Sequence, residues 1–299
     1  MVSGMAAPPG RALVIRIGAL GDVLLTRRLT YSLSLTGYRS TLFAPARHAA
    51  VLKSDPWIDS VLDSESPFFG SAFWGEWPDL REGDHSIRRF DLALVISRSG
   101  DLSRFAAARS AKVARIQPDP AKSARSIARQ WAEAAADWAP PFAGDLPLLP
   151  TDAGLARLEG STLIHPGSGS LEKNWPADRF AALSTRLATS GHRVVWIRGP
   201  AEAPPPTSAV AFTELTGLAL PALAATLARA LLFIGNDSGV SHLAAAVGAS
   251  TLALFGPTDP AIWSPDGPRV QTIRAAERRM AHLSVGDVVA RCGDGFGPV

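Results

Sequence analysis

The sequence predicts an α/β protein of two lobes, each a parallel sheet covered by helices. Three observations carry this. Strand-length apolar runs alternate with helical patterns over residues 11–96, the alternation returns over 162–255, and a proline-rich break separates the two. In the first lobe, strands are predicted at 11–17, 41–43, 60–62 and 92–96, with a helix to about residue 35 after the turn Gly18-Ala19-Leu20-Gly21-Asp22. Prolines 140, 141, 147 and 150, with Gly144 among them, interrupt both periodicities and set the domains at 1–150 and 151–299. In the second lobe, strands are predicted at 162–165, 193–197, 231–234 and 250–255. Helices are predicted at 176–190, closed by Gly191, and at 220–229 and 241–247. A length of 299 residues suits two domains. In such an architecture ligands bind beyond the carboxyl ends of the strands, in the crevice between lobes.

Composition narrows the class. Hydrophobic residues make up 46% of the chain, enough for packed cores and too many for a disordered protein. The single cysteine, Cys292, rules out an intramolecular disulfide and a cysteine metal cluster, which points to a reducing compartment. Residues 1–10 lack the charged start and apolar core of a secretory signal. The longest apolar run, 223–234, is interrupted by Arg229 and falls short of the roughly 18 residues that span a bilayer. A cytosolic protein is expected, at most resting on a membrane surface. Net charge is +3, all of it in residues 1–150. Between Arg98 and Arg129 eight basic residues face only Asp101 and Asp119. This is either a solvated face or a surface for an anionic partner. If 121–138 is helical, Lys122, Arg125 and Arg129 share one face, opposite Ile127, Trp131, Ala134 and Trp138. Arg98 and Arg104 could converge on the same place.

Chemistry concentrates at strand-to-helix turns. Gly235-Asn236-Asp237-Ser238-Gly239-Val240-Ser241-His242 follows a buried-strand pattern and opens into an alanine-rich helix. Such a turn aims free backbone N–H groups and the positive helix end at one spot, where a phosphate sits well. Asp237 reads as the N-cap of that helix or as an acceptor for sugar hydroxyls. His242 reads as a half-buried structural histidine or a ligand contact. The loop His165-Pro166-Gly167-Ser168-Gly169-Ser170-Leu171-Glu172-Lys173-Asn174-Trp175-Pro176 is of the same kind. Its flexible backbone donors, the Ser168 hydroxyl and the Lys173 ammonium together suit a diphosphate; the alternative is a plain connection with a surface lysine. The spacing is not that of a Walker loop, and no GxGxxG fingerprint occurs. In the first lobe Asp22 is either a helix N-cap or a general base, and Gly18 and Gly21 let a substrate approach the backbone closely. The sequence holds neither an Asp-x-Asp pair nor a His-x-x-His pair, so no metal is expected.

These residues resemble glycosyltransferase family 9, the lipopolysaccharide heptosyltransferases. Four blocks carry the resemblance: Arg16-Ile17-Gly18-Ala19-Leu20-Gly21-Asp22-Val23, residues 165–180 with their Lys-Asn-Trp-Pro, Thr216-Gly217, and residues 235–246 continuing into Leu254-Phe255-Gly256-Pro257-Thr258. The resemblance implies a GT-B fold, with two Rossmann-like lobes whose parallel sheets face a central cleft and a last helix that returns to the first lobe. It implies metal-independent, inverting transfer of heptose from ADP-heptose to the Kdo/heptose inner core of lipopolysaccharide, with no cofactor and no nucleic acid. Asp22 would be the base. Ser168, Gly169, Lys173, Ser238 and Gly239 would hold the diphosphate, and Asp237, His242 and Glu202 would contact the rest of the donor. Gly18, Gly21, Arg98, Arg104, Lys122, Arg125 and Arg129 would face an anionic glycolipid acceptor, with peripheral contact at the inner membrane. The chain departs from the family where Thr26-Arg27-Arg28 replaces a threonine-x-proline and where Ser250 replaces a common proline. A same-fold transferase using another nucleotide sugar and acceptor, a non-catalytic nucleotide-sugar-binding protein and a sugar-nucleotide epimerase are the alternatives.

Overall fold

The structure, a computed structural model, describes residues 10–70, 89–120, 125–199, 202 and 212–295. Lys122 and the Pro204-Pro205-Pro206 loop lie outside these. The chain divides into two compact units at Gly144/Asp145, inside the proline-rich break, with residues 125 and 126 belonging to the second.

The first unit runs β1 (Gly10–Ile15), α1 (Leu20–Leu25), α2 (Arg27–Leu35), β2 (Tyr38–Ala44), α3 (Ala46–Ala49), β3 (Ile58–Asp63), α4 (Pro67–Gly70), β4 (Phe90–Ile96), α5 (Gly100–Ala107), β5 (Ser110–Ile116) and α6 (Ile127–Ala134). Its sheet is parallel, in the order β3-β2-β1-β4-β5. The inner strands β1 and β4 are covered on both faces, so they read as unbroken apolar runs. Leu13, Ile15, Ala93 and Val95 form one core with Phe43, Phe90 and Phe105. Helix α6 starts at Ile127 and not at 121. It buries Ile127, Ala128, Trp131 and Ala132, while Ala134 is exposed and Trp138 lies in the turn beyond. The approach to Pro140-Pro141 disfavours any extension.

The second unit runs β6 (Thr162–His165), α7 (Ala177–Thr189), β7 (Val194–Arg198), β8 (Thr213–Thr216), α8 (Leu220–Leu227), β9 (Leu232–Asn236), α9 (Gly239–Ala246), β10 (Thr251–Phe255), α10 (Pro260–Trp263), β11 (Val270–Arg274) and α11 (Val285–Gly295). Its parallel sheet has the order β11-β10-β9-β6-β7-β8. Gly191, at φ +90°, closes α7 as predicted. The core gathers Trp175, Phe180, Trp196, Leu252 and Leu254. The last helix, α11, contributes Val288 and Cys292 to the core of the second unit.

In each sheet the direction of winding reverses once, between β1 and β4 and between β6 and β9. The loops after those strands diverge, which opens a crevice at their carboxyl ends. Asp22 follows β1, Lys173 follows β6 and Asp237 follows β9. Among the described residues no helix is long and apolar enough to cross a membrane.

Candidate active site

In the second unit, the turn after β9 is held open by a cap. Ser238, and not Asp237, is the N-cap of α9: it is extended at φ −148°, ψ 163°, and its Oγ accepts the Ser241 N–H. Asp237 is unavailable for capping because its carboxylate is engaged elsewhere. Asp237 Oδ2 accepts Lys173 Nζ at 2.8 Å and the Thr258 hydroxyl at 2.7 Å. The carboxylate is almost fully buried, while the lysine side chain keeps 31% of its exposure. One cation, one anion and one hydroxyl from three loops therefore meet beside the first turn of α9, whose leading N–H groups at Gly239 and Val240 have no partner within the helix. His242 lies one turn further in and is buried.

The loop after β6 is fastened to β9 by Asn236, whose Nδ2 donates to Pro166 O at 2.6 Å and whose Oδ1 accepts the Trp175 N–H at 3.0 Å. The Trp175 indole N–H donates to Leu283 O at 2.9 Å. Inside the loop, Ser168 Oγ accepts the Ser170 N–H and lies 2.7 Å from Ser170 O and 2.6 Å from Asn174 Oδ1. Gly169 has open space where a Cβ would stand, so the free protein does not require glycine there.

Glu202 is brought to the same strand end. Its Oε1 lies 3.1 Å from His165 Nε2, and its Oε2 accepts the Gly199 N–H at 3.1 Å. Burial by itself would raise the Glu202 pKa. The hydrogen bond and charge of His165, the Gly199 amide and Arg198 outweigh it, so the carboxyl is held below its ordinary value. A Cβ on Gly167 would overlap Glu202 Oε1, so the carboxylate occupies the space that this glycine leaves.

In the first unit, Asp22 is not the N-cap either. Ala19 holds that position, Asp22 is third in α1, and its Oδ2 accepts the Ala19 N–H at 3.0 Å. Its Oδ1 lies 2.5 Å from Arg16 Nη2. Gly18 makes room for the carboxylate, since a Cβ there would come within 2.5 Å of Asp22 Oδ2. The Gly18 carbonyl faces His48 Nδ1 at 3.0 Å. Gly21 is buried within α1.

The basic zone does not form the face the sequence predicted. Arg125 precedes α6, in the second unit, while Arg129 is exposed on α6 in the first. Both acids of the zone are occupied: Arg98 pairs with Asp119 at 2.5 Å, and Arg104 pairs with Asp101 one helical turn away. These pairs are exposed, and exposed pairs contribute little to stability. The departure from the family at Thr26-Arg27-Arg28 is structural. Arg27 grips Asp55 with Nε to Oδ2 at 2.7 Å and Nη2 to Oδ1 at 2.9 Å, both side chains buried. Arg28 donates to the carbonyls of Phe142 and Gly144.

The family described as glycosyltransferase family 9 (heptosyltransferase) matches residues 109–291, more than half of the chain. The chain belongs to glycosyltransferase family 9. It is 36% identical over 112 residues to lipopolysaccharide heptosyltransferase 3 of Escherichia coli K12, a match of 34% of this chain and 33% of the relative. It is 32% identical over 141 residues to lipopolysaccharide heptosyltransferase 1 of the same strain, covering 46% of this chain and 43% of the relative. The chain thus aligns with less than half the length of these curated relatives. Structural likeness extends further. E. coli heptosyltransferase WaaC with ADP superposes at a TM-score of 0.72 with 18% identity, over 94% of this chain and 98% of that one. E. coli ADP-heptose lps heptosyltransferase II superposes at 0.73 with 19% identity, over 94% and 96%. A family 9 protein of Veillonella parvula superposes at 0.75 with 18% identity, over 96% and 97%. The fold is GT-B.

In this family 9 chain, sequence reasoning missed Arg16, His165, Gly167, Asn236 and Thr258 as parts of the site. All five stood inside blocks that were legible, but none was singled out for a contact. Arg16 and His165 become partners only once β1 and β6 are placed and Asp22 and Glu202 fold back onto them.

Proposed function

We propose that the protein is an inverting glycosyltransferase that moves heptose from ADP-heptose to the inner core of lipopolysaccharide, at a Kdo or heptose hydroxyl. Family membership supports the reaction class. The adenine nucleotide and the sugar are brought from neighbours: WaaC has been solved with ADP and with ADP-2-deoxy-2-fluoro heptose. The observation that carries the reading is the meeting of Lys173, Asp237 and Thr258 beside the capped start of α9.

In this reading the diphosphate lies against the N–H groups of Gly239 and Val240, with Ser168, Gly169, Ser238 and Lys173 around it. Helix amides and the ammonium offset its charge, without a metal. Asp237 and His242 contact the donor beside the diphosphate, and Glu202 accepts from ribose hydroxyls. Asp22 takes the proton of the attacking acceptor hydroxyl. A bond forms from that oxygen to the anomeric carbon on the face opposite the departing phosphate, and ADP leaves with the electron pair of the broken C–O bond. The exposed cations Arg98, Arg104 and Arg129 of the first unit receive the phosphates and carboxylates of an anionic glycolipid, at the cytoplasmic face of the inner membrane.

Calorimetric titration of ADP-, UDP- and GDP-sugars tests the donor, and transfer to Kdo-bearing lipid A tests the acceptor. The reading predicts that ADP-heptose binds most tightly and is consumed. Preference for UDP- or GDP-sugars would overturn the donor assignment, and binding without turnover would make this a nucleotide-sugar-binding protein.

A further inference from the structure

We propose that Arg16 is a positioning residue that aims the Asp22 carboxylate at the acceptor hydroxyl, an assignment that rests on Asp22 being the base. Arg16 leaves the end of β1 with its backbone N–H fixed to Phe43 O at 3.1 Å. Its guanidinium is then held from three directions. Nη2 reaches Asp22 Oδ1 at 2.5 Å, Nη1 reaches Ile96 O at the end of β4 at 3.4 Å, and the Trp131 ring centroid lies 5.0 Å from the guanidinium carbon. A planar fork on a buried aromatic has little freedom left.

The carboxylate that it grips is fixed at both oxygens, because Oδ2 accepts the Ala19 N–H. Each oxygen keeps a second lone pair, so the two donors set the plane of the carboxylate without consuming its ability to accept a proton. A comparison within the unit separates this pair from a structural one. Arg27–Asp55 is closed on both sides, with side-chain exposures of 5% and 3%, and Arg98–Asp119 is loose on the surface. Arg16–Asp22 combines a held cation, 14% exposed, with an open anion, 25% exposed. That combination is what a base needs: rigid support behind and access in front. In the transfer step the acceptor proton passes to Asp22 and none passes to Arg16. The fork spans the carboxylate and the Ile96 carbonyl at once, which a single ammonium would not reproduce.

The test is steady-state transfer from ADP-heptose to Kdo-bearing lipid A by Arg16→Ala, Arg16→Lys and Asp22→Asn, with donor titration and melting curves for each. For Arg16→Ala, kcat is expected to fall about 100-fold, the penalty of a misaimed group, while both KM values and donor affinity stay near wild type. Millimolar guanidinium, below denaturing levels, should restore part of the lost kcat in Arg16→Ala and none in Arg16→Lys, whose own loss is about tenfold. If Asp22→Asn is inactive while Arg16→Ala keeps its kcat, the positioning role fails and the base survives. A raised acceptor KM with unchanged kcat would make Arg16 an acceptor contact and overturn the proposal. Full activity of Asp22→Asn would overturn the base itself. Should Arg16→Ala not fold, Arg16→Lys decides alone, and a wild-type kcat there refutes the role.

Discussion

Lys173 serves two partners in this account, and replacing it by alanine separates them. Its ammonium is 2.8 Å from the buried Asp237 carboxylate, and on its removal the only partner of that carboxylate shown among the described residues is the Thr258 hydroxyl. A lost hydrogen bond to a charged group costs about 1.5–3 kcal/mol, and the partial exposure of the lysine places the loss near the lower figure. For a unit of this size that corresponds to a fall in Tm of about 3–6 °C, readable by calorimetry. The donor diphosphate loses a contact of similar strength, so the Kd for ADP-heptose should rise about 10- to 100-fold by titration. Adding Asp237→Asn to Lys173→Ala should recover most of the Tm, because a neutral amide needs no counterion, yet leave affinity low. A lowered Tm with a wild-type Kd would make Lys173 only the counterion of Asp237 and refute its phosphate role.

Gly167→Ala should drive Glu202 away from His165 and Gly199 and raise the donor Kd about tenfold by titration, with no added effect in a Glu202→Ala background. Because the Glu202 pKa is depressed in the fold, its contribution to stability is present above the ordinary carboxylate range. That contribution is lost as pH falls through the lowered value, and urea titrations of wild type and Glu202→Gln should converge there. Arg27→Ala leaves Asp55 buried without its cation and should cost about 3–5 kcal/mol in a urea titration, with donor affinity intact where the variant is folded. The Cys292 thiol is pushed up to about 12 by burial, so a thiol reagent should label it only as the chain unfolds. Rapid labelling of folded protein would contradict its place in the core.

The parts of the fold that were legible are those where burial dictates composition. Strands β1, β4, β6, β9 and β10 are covered on both faces, and their apolar runs stood out. The strands that went unread, β5, β8 and β11, all lie at sheet edges. Lys112 and Arg115 at exposed positions of β5, Glu214 at an exposed position of β8 and the half-buried Gln271 of β11 blunt an edge and in doing so erase the period-2 signal. Asp22 and Asp237 were recognised at strand-to-helix turns, but local sequence does not say which of two adjacent cap-type residues caps. The choice of Ser238 follows from Lys173 and Thr258, which are remote in the chain and claim Asp237. The shared face of Lys122, Arg125 and Arg129 required a helix over 121–138, whereas α6 begins at Ile127, beyond Arg125.

Transfer by this protein turns on Asp22 removing the acceptor proton. Asp22→Asn keeps the shape of the side chain and an oxygen for the Ala19 N–H, so the helix start should survive. The measurement is a single-turnover assay of heptose transfer with Asp22→Asn at saturating ADP-heptose. With Asp22 as the base, donor affinity stays at the wild-type value and transfer is almost completely lost; transfer at the wild-type rate would show that another group takes the proton.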